Sequence, residues 1–284
     1  MRNMRTVLTC AHLNFKKWVV EPKIYVVFAM AALMMVWMWE GVTRYSLQVG
    51  VPVTPWGLAF SYGQTALILM SSSLLLLFYS NAPFADGHTP FVVIRTGRRN
   101  WILGQVVYII ESSFVYMVFH VVCMLLILSP SLSFSGDWGS VMETLAQYPS
   151  NYTGSLYPYD AVLAQYSGPV YSLIGMVFLW LVPCFMGMVI LFFNVISGRN
   201  LGVAVGGVFV FLSYFVFVIG SMIFGGRIYW ISPLTWICPA FLSGGPRPTE
   251  MEGLCVLLIA IVVLAAGSVI TVCKKDMTMQ KGGL

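Results

Sequence analysis

The chain has 284 residues, of which 59% are apolar and only 9% are Asp, Glu, Lys or Arg, with a formal net charge of +5. A soluble domain carries about a quarter charged residues, so this composition excludes an ordinary water-exposed globular surface. Several runs exceed the ~18 uncharged residues needed to cross ~30 Å of hydrocarbon, and the expected class is an all-α integral membrane protein.

The first predicted element is an amphipathic helix over 4–19. Met4, Val7, Leu8, Ala11, Phe15, Trp18 and Val19 form a stripe at helical spacing, with Leu13 off it, while Arg5, Thr9, His12 and Lys16 share a polar flank. This pattern suits a helix in the headgroup plane, with Glu21 and Lys23 marking the corner into the first span. The basic start MRNMR lacks a following apolar h-region, because His12, Asn14, Lys16 and Lys17 interrupt it, so no secretory signal peptide is expected.

Spans are expected at 24–39 and 56–80, with Trp37, Trp39 and Trp56 at one interface and Tyr79 and Trp101 at the other. Gln64 lies in the second span, as an interhelical hydrogen-bond partner or part of a substrate path. A short helix follows over 89–97. Thr89 can cap it, Pro90 suits its first position, Phe91 to Ile94 continue it, and Gly97 ends it. Asn100 is placed to cap the next helix. Asp86, His88, Arg95, Arg98 and Arg99 flank this short element. Its apolar side must be buried on something, either the membrane surface or a partner protein to which the arginines offer directional contacts.

The third span is expected at 101–128. Glu111 lies about 15 Å along it from Trp101, and a carboxylate at that depth must be neutral or paired and face the bundle or a cavity. It serves either as a structural hydrogen-bond partner or in a substrate or proton path. His120, nine residues on, falls on the opposite face, which argues against a Glu–His relay along one helix. The outer loop 129–167 carries Tyr148, Tyr152, Tyr157, Tyr159 and Tyr166 and the formal sequon Asn151-Tyr152-Thr153. It reads as a solvated loop, with a tyrosine rim for a peptide as the alternative.

Spans at 168–195 and 201–224 follow. Asn194 closes the first as another interhelical or path residue, and Gly202, Gly206 and Gly207 open the second for close packing, within the bundle or at a dimer seam. The outer segment 227–253 contains YWISPLTWICPAFLSGG, which is apolar yet interrupted by Pro233 and Pro239. A re-entrant pair of half-helices is expected there, the alternative being an aromatic loop resting on headgroups. The final span is 254–273. With the N-terminus inside, 12 of the 15 basic residues lie on the cytoplasmic side, among them Arg199, Lys275 and Lys281, against Arg44, Arg227 and Arg247 outside. Both termini are therefore expected to be cytoplasmic.

The six cysteines show no CxxC spacing and give no metal or redox motif. Cys238 and Cys255 are both placed outside, where a disulfide between them stays open. No GxxxxGK[ST] loop, HExxH or GxSxG occurs. Leu242-Ser243-Gly244-Gly245 spells the start of a nucleotide-binding signature but is followed by Pro246 in the outer segment, so it reads as a turn.

The layout as a whole, with RTGRRNWILGQ at 95–105 and ISPLTW at 231–236, resembles the permease subunit of bacterial ATP-binding-cassette exporters of the six-helix, type-2 class. The resemblance implies that 89–97 is a coupling helix docking on a separate ATPase subunit through Asp86, His88, Thr89, Phe91, Arg95, Arg98 and Arg99. It also implies a second permease copy around a central path, ATP and Mg held by the ATPase rather than this chain, and no nucleic-acid partner. The outer segment 129–167 is longer than the minimal family plan. The path would include Gln64, Glu111, His120 and Asn194, and an amphipathic peptide, an antibiotic or a lipid-like molecule would suit it. Two other readings remain: a proton-coupled secondary transporter using Glu111, and a membrane assembly or sensor subunit without an ATPase.

Overall fold

The computed structural model describes residues 2–148, 154–198, 201–242 and 245–274. The sequon at 151–153, Arg199, Ser243, Gly244, Lys275 and Lys281 lie outside the described residues. Among those described, the chain is helical, with one isolated parallel bridge between Val53 and Leu132. Five helical segments are long and apolar enough to cross a membrane: Pro22–Val49, Arg98–Leu128, Gly168–Ser197, Leu201–Ile231 and Glu250–Lys274. This is a membrane-embedded helical protein.

The chain opens with α1 (Arg2–Lys16), a 3-10 turn at Lys17–Val19, and α2 (Pro22–Val49). Only half of the expected stripe on α1 is buried in protein. Val7, Ala11, Phe15 and Trp18 face the bundle together with Cys10 and Asn14, whereas Met4, Leu8 and Val19 are exposed. The helix lies along the start of α5 (Arg98–Leu128) so closely that a Cβ on Gly104 would collide with the Cys10 side chain. The Trp18 indole donates to the Tyr108 hydroxyl at 2.7 Å, and the Asn14 and Gln105 amides meet at 2.8 Å.

α2 runs ten residues past the expected end of the first span. It stops where Gly50, at φ +73°, turns its N–H back to the Ser46 carbonyl at 2.9 Å. Trp39 consequently sits in the core rather than at an interface, and Tyr79 is likewise fully buried, donating to or accepting from Ser112 and Ser113. The expected headgroup roles of these two rings are replaced by packing.

The stretch 56–80 is not one helix. A 3-10 turn at Pro55–Phe60 and α3 (Thr65–Tyr79) are separated by Ser61–Gln64. Tyr62 there adopts φ +67° and sends its N–H to the Met38 sulfur at 3.3 Å. At 15 residues α3 is about 22 Å long, short of the hydrocarbon thickness, so it is not among the five helices long enough to cross a membrane. Irregular backbone at such depth is tolerated only inside protein. Phe60, Ser61 and Tyr62 are all about 1% exposed.

After α4 (Thr89–Thr96) and α5, the stretch 129–167 is not a solvated loop. It contains α6 (Ser140–Gln147) and α7 (Asp160–Gln165), and Trp138, Val141, Met142, Leu145, Leu156 and Val162 are buried. Thr54 Oγ1 and Trp56 Nε1 donate to the Trp138 and Ser135 carbonyls, pinning this cap over the start of α3. Tyr148, Tyr157 and Tyr159 keep exposed rings.

α8 (Gly168–Ser197) is the axis of the bundle: 72% of its apolar window is buried, against 22% for α11 (Glu250–Lys274). α9 (Leu201–Phe215) continues through a π turn at Val216–Gly220 into α10 (Ser221–Phe224). Gly202 and Gly206 pack on Ile190, Asn194 and Met186 of α8 and on Leu76 of α3, so these glycines serve packing within the bundle. The segment expected on the outer side forms 3-10 turns at Gly225–Ile231, Pro233–Ile237 and Pro239–Phe241 instead of α-helical halves. The prolines at the starts of the last two turns cut the helix short. Leu234, Trp236, Cys238 and Leu242 are nevertheless buried. Cys238 donates to the Ala59 carbonyl and Cys255 is exposed, both as free thiols.

Closeness of α8 to the Pro55–Phe60 turn rests on Gly175, where an added Cβ would lie 2.8 Å from Ala59 Cα and 2.9 Å from Ala59 N. Gly175→Ala should lower the stability of the detergent-solubilised protein by about 1–3 kcal/mol relative to Gly207→Ala, whose added methyl meets open space. Thermal unfolding of the two variants measures the difference.

Candidate docking site at the basic pole

An eight-residue helix is too short to be stable by itself in water, so α4 must be held by its surroundings. Pro90 stands in its first turn, and Asp86, three residues before Thr89, organises its start. Asp86 Oδ1 accepts from the His88 N–H at 3.0 Å and the Thr89 hydroxyl at 3.1 Å, while Thr89 Oγ1 accepts from the Asp86 N–H at 2.8 Å. Thr89 does not cap the helix as expected: it is the first helical residue and its hydroxyl pairs with Asp86, while His88 stands at the cap position without a side-chain cap bond.

The other carboxylate oxygen of Asp86 lies 2.9 Å from Lys17 Nζ, and the same ammonium donates to the Phe84 carbonyl at 2.7 Å. Lys17 thus bridges the end of α1 to the chain entering α4. Desolvation alone would raise the Asp86 pKa, but the Lys17 bond and charge, the Thr89 hydroxyl and the His88 N–H outweigh it and hold the carboxyl below its ordinary value.

The far end of α4 is fixed by Gly97, at φ +82° and ψ 147°, whose N–H bonds to the Val93 carbonyl at 2.9 Å. Only glycine enters this conformation freely. It lets α5 begin at Arg98 without a loop. Asn100 does not cap α5 as expected; its Nδ2 donates back to the Thr96 carbonyl at 2.8 Å and closes α4 instead.

Held in this way, α4 has an inner and an outer side. Val92 and Val93 pack against the core, while Phe91 is 67% exposed and Ile94 79% exposed. Arg95 joins them one turn along, and His88 and Arg99 are also exposed. Arg98 is half-buried. Two large apolar side chains beside a guanidinium form a small outward patch that is preshaped before anything covers it.

The four polar residues expected within the spans do not share one set of contacts. Gln64 donates to the Ser155 carbonyl at 2.9 Å in the cap. Asn194 donates to the Ala82 carbonyl at 2.7 Å and accepts from the Gly202 N–H at 2.6 Å, stapling α8 to the chain before α4 and to the start of α9. Glu111 is half-buried on α5. His120 is fully buried, its Nδ1 2.7 Å from the Tyr116 carbonyl and its ring 5.9 Å from that of Tyr62.

Sequence reasoning passed over the pairing of Lys17 with Asp86 and of Asn81 with Glu21. It also missed the break at Tyr62-Gly63, for which the Tyr-Gly-Gln run inside an apolar stretch is a turn signal. No protein-family model matches the chain, and no curated protein matches it. The functional argument therefore rests on the residues themselves.

Asp86→Asn should loosen the tether and speed proteolytic cleavage between Phe84 and Gly97 at neutral pH. A carboxyl with a lowered folded pKa contributes fully above its unfolded pKa of about 3.9 and loses that contribution as pH falls through the lowered value. The difference between wild type and variant should accordingly disappear in stronger acid, which limited digestion with an acid-active protease checks.

Proposed function

We propose that this chain is the membrane-spanning permease subunit of an ATP-driven exporter, of the six-helix, type-2 kind that its layout resembles. The observation that carries the reading is the outward patch of Phe91, Ile94 and Arg95 on a helix braced at both ends. A helix that only stopped a loop from crossing the membrane would need its charges and no bracing. A braced helix with exposed apolar side chains suits a partner that pushes on it.

In this reading α4 lies on the cytoplasmic side, as the distribution of basic residues favours, and both termini lie there too. Phe91 and Ile94 enter a cleft of a separate ATPase subunit, and Arg95, Arg98 and Arg99 meet carboxylates at its edge. ATP and Mg belong to that subunit. Gly97 and the Asn100 cap join α4 directly to α5, so a displacement of α4 carries into a helix of 31 residues. Lys17 carries the same displacement into α1. Two copies then rock about a shared path in the cytoplasmic membrane, with α3 as the sixth span in combination with the Pro55–Phe60 turn.

The substrate class in this proposal is an amphipathic molecule such as an antimicrobial peptide or antibiotic, presented with the aromatic and methionine-rich interior of the bundle. Exposed Tyr148, Tyr157 and Tyr159 on the cap offer a contact surface at the outer mouth.

The test is co-purification. Phe91→Ser with Ile94→Ser, and separately Arg95→Glu, should abolish recovery of an ATPase subunit with the tagged chain while membrane insertion and yield stay normal. Recovery of the ATPase at wild-type level with both variants would refute the docking role.

A further inference from the structure

A cavity of about 100 Å³ opens beside the tether, between the α1–α2 elbow and the chain that follows α3. Its walls are apolar on one side, with Ile24, Phe78 and Phe84, and polar on the other, with Lys17, Lys23 and Asn81. Its carboxylates are partly engaged. Asp86 is bound to Lys17 and Thr89, and Glu21 Oε1 accepts from Asn81 Nδ2 at 2.9 Å.

Lys23 is different. Its side chain is only 15% exposed, and Nζ is buried without a hydrogen-bond acceptor. Its ion-pair neighbour, Glu21 Oε1, stands 3.7 Å away and is the atom that Asn81 holds. The Glu21 oxygen offsets part of the charge but stands beyond hydrogen-bond distance, which leaves the buried N–H groups of Lys23 short of an acceptor, so this corner of the cavity calls for a second anionic oxygen.

Position decides which anion fits. Lys23 is in the first turn of α2, where the apolar span begins, so its head lies at the boundary between headgroups and hydrocarbon. Val19, Val20, Tyr25 and Val26 next to it are 74%, 78%, 59% and 50% exposed, a surface for acyl chains.

We propose that this cavity is a binding site for the phosphate of a membrane phospholipid, with Lys23 Nζ donating to the phosphate oxygens, Asn81 beside it, and the acyl chains lying along Val19, Val20, Tyr25 and Val26. Because Lys17 and Asp86 form another wall, the bound headgroup stabilises the elbow that braces α4. The site stands whether or not α4 docks an ATPase.

Native mass spectrometry of the delipidated, full-length protein tests the assignment with three probes: phosphatidylethanolamine, diacylglycerol of the same acyl chains, and inorganic phosphate. Wild type should retain one phosphatidylethanolamine and no diacylglycerol. Lys23→Met should weaken retention by about tenfold, the scale of one charge-assisted hydrogen bond, whereas Lys23→Arg and the exposed control Lys16→Met should retain it. Equal retention by Lys23→Met, or diacylglycerol held as tightly as phospholipid by wild type, would overturn the proposal. Displacement of the lipid by inorganic phosphate alone would overturn it in favour of a free-phosphate site. The comparison of probes on wild type needs no variant to fold.

Discussion

Eight residues of helix do not hold themselves together in water, and the arrangement at the basic pole follows from that constraint. α4 is formed because Asp86 and Thr89 bond to each other just before its first turn, Asn100 and Gly97 fix the other end, and Val92 and Val93 rest on the bundle. Lys17 is the member that brings a second helix into this arrangement. Its ammonium is shared between a carboxylate and a carbonyl, so the end of α1 is tied to the entry to α4. What remains uncovered, Phe91, Ile94 and Arg95, is thereby held in a fixed orientation.

Inside the membrane a different constraint rules, the satisfaction of backbone polar groups without water. The chain meets it in two ways. α2, α5, α8, α9 and α11 satisfy their own backbones, while the irregular pieces at Pro55–Gln64 and Pro233–Phe241 are buried against α8 and against each other. Gly175 and Gly57 allow these pieces to come close, against Ala59 and Trp39 respectively. The cap made from 129–167 is an extension of the same packing, since Trp138 and Met142 are buried beside Phe60 and Trp39.

The sequence reveals these two layers unequally. Long apolar runs declare α2, α5, α8, α9 and α11 because membrane crossing is a property of local composition. α4 is also legible, because Pro90 and Gly97 punctuate its ends chemically. The break at Tyr62 is hidden: the apolar run continues through it, and the turn is decided by Met38 and the surrounding walls. The burial of Trp39 and Tyr79 is hidden for a related reason, since interfacial and core aromatics look alike until their neighbours are known. Likewise, the tether needs Lys17 and Asp86 to meet across 69 positions of chain, which no spacing rule supplies. Polar groups spread along different spans read as one path in a linear sequence, but each has its own partners in the fold.

Preorganisation of α4 is the central claim, and backbone amide hydrogen exchange of the protein alone in a lipid nanodisc tests it most directly. The amides of Val92 through Gly97 are expected to be protected, in step with the first turn of α5, with no ATPase present. Exchange across this segment at the rate of an unstructured peptide would contradict the account, because α4 would then be shaped by its partner rather than offered to it.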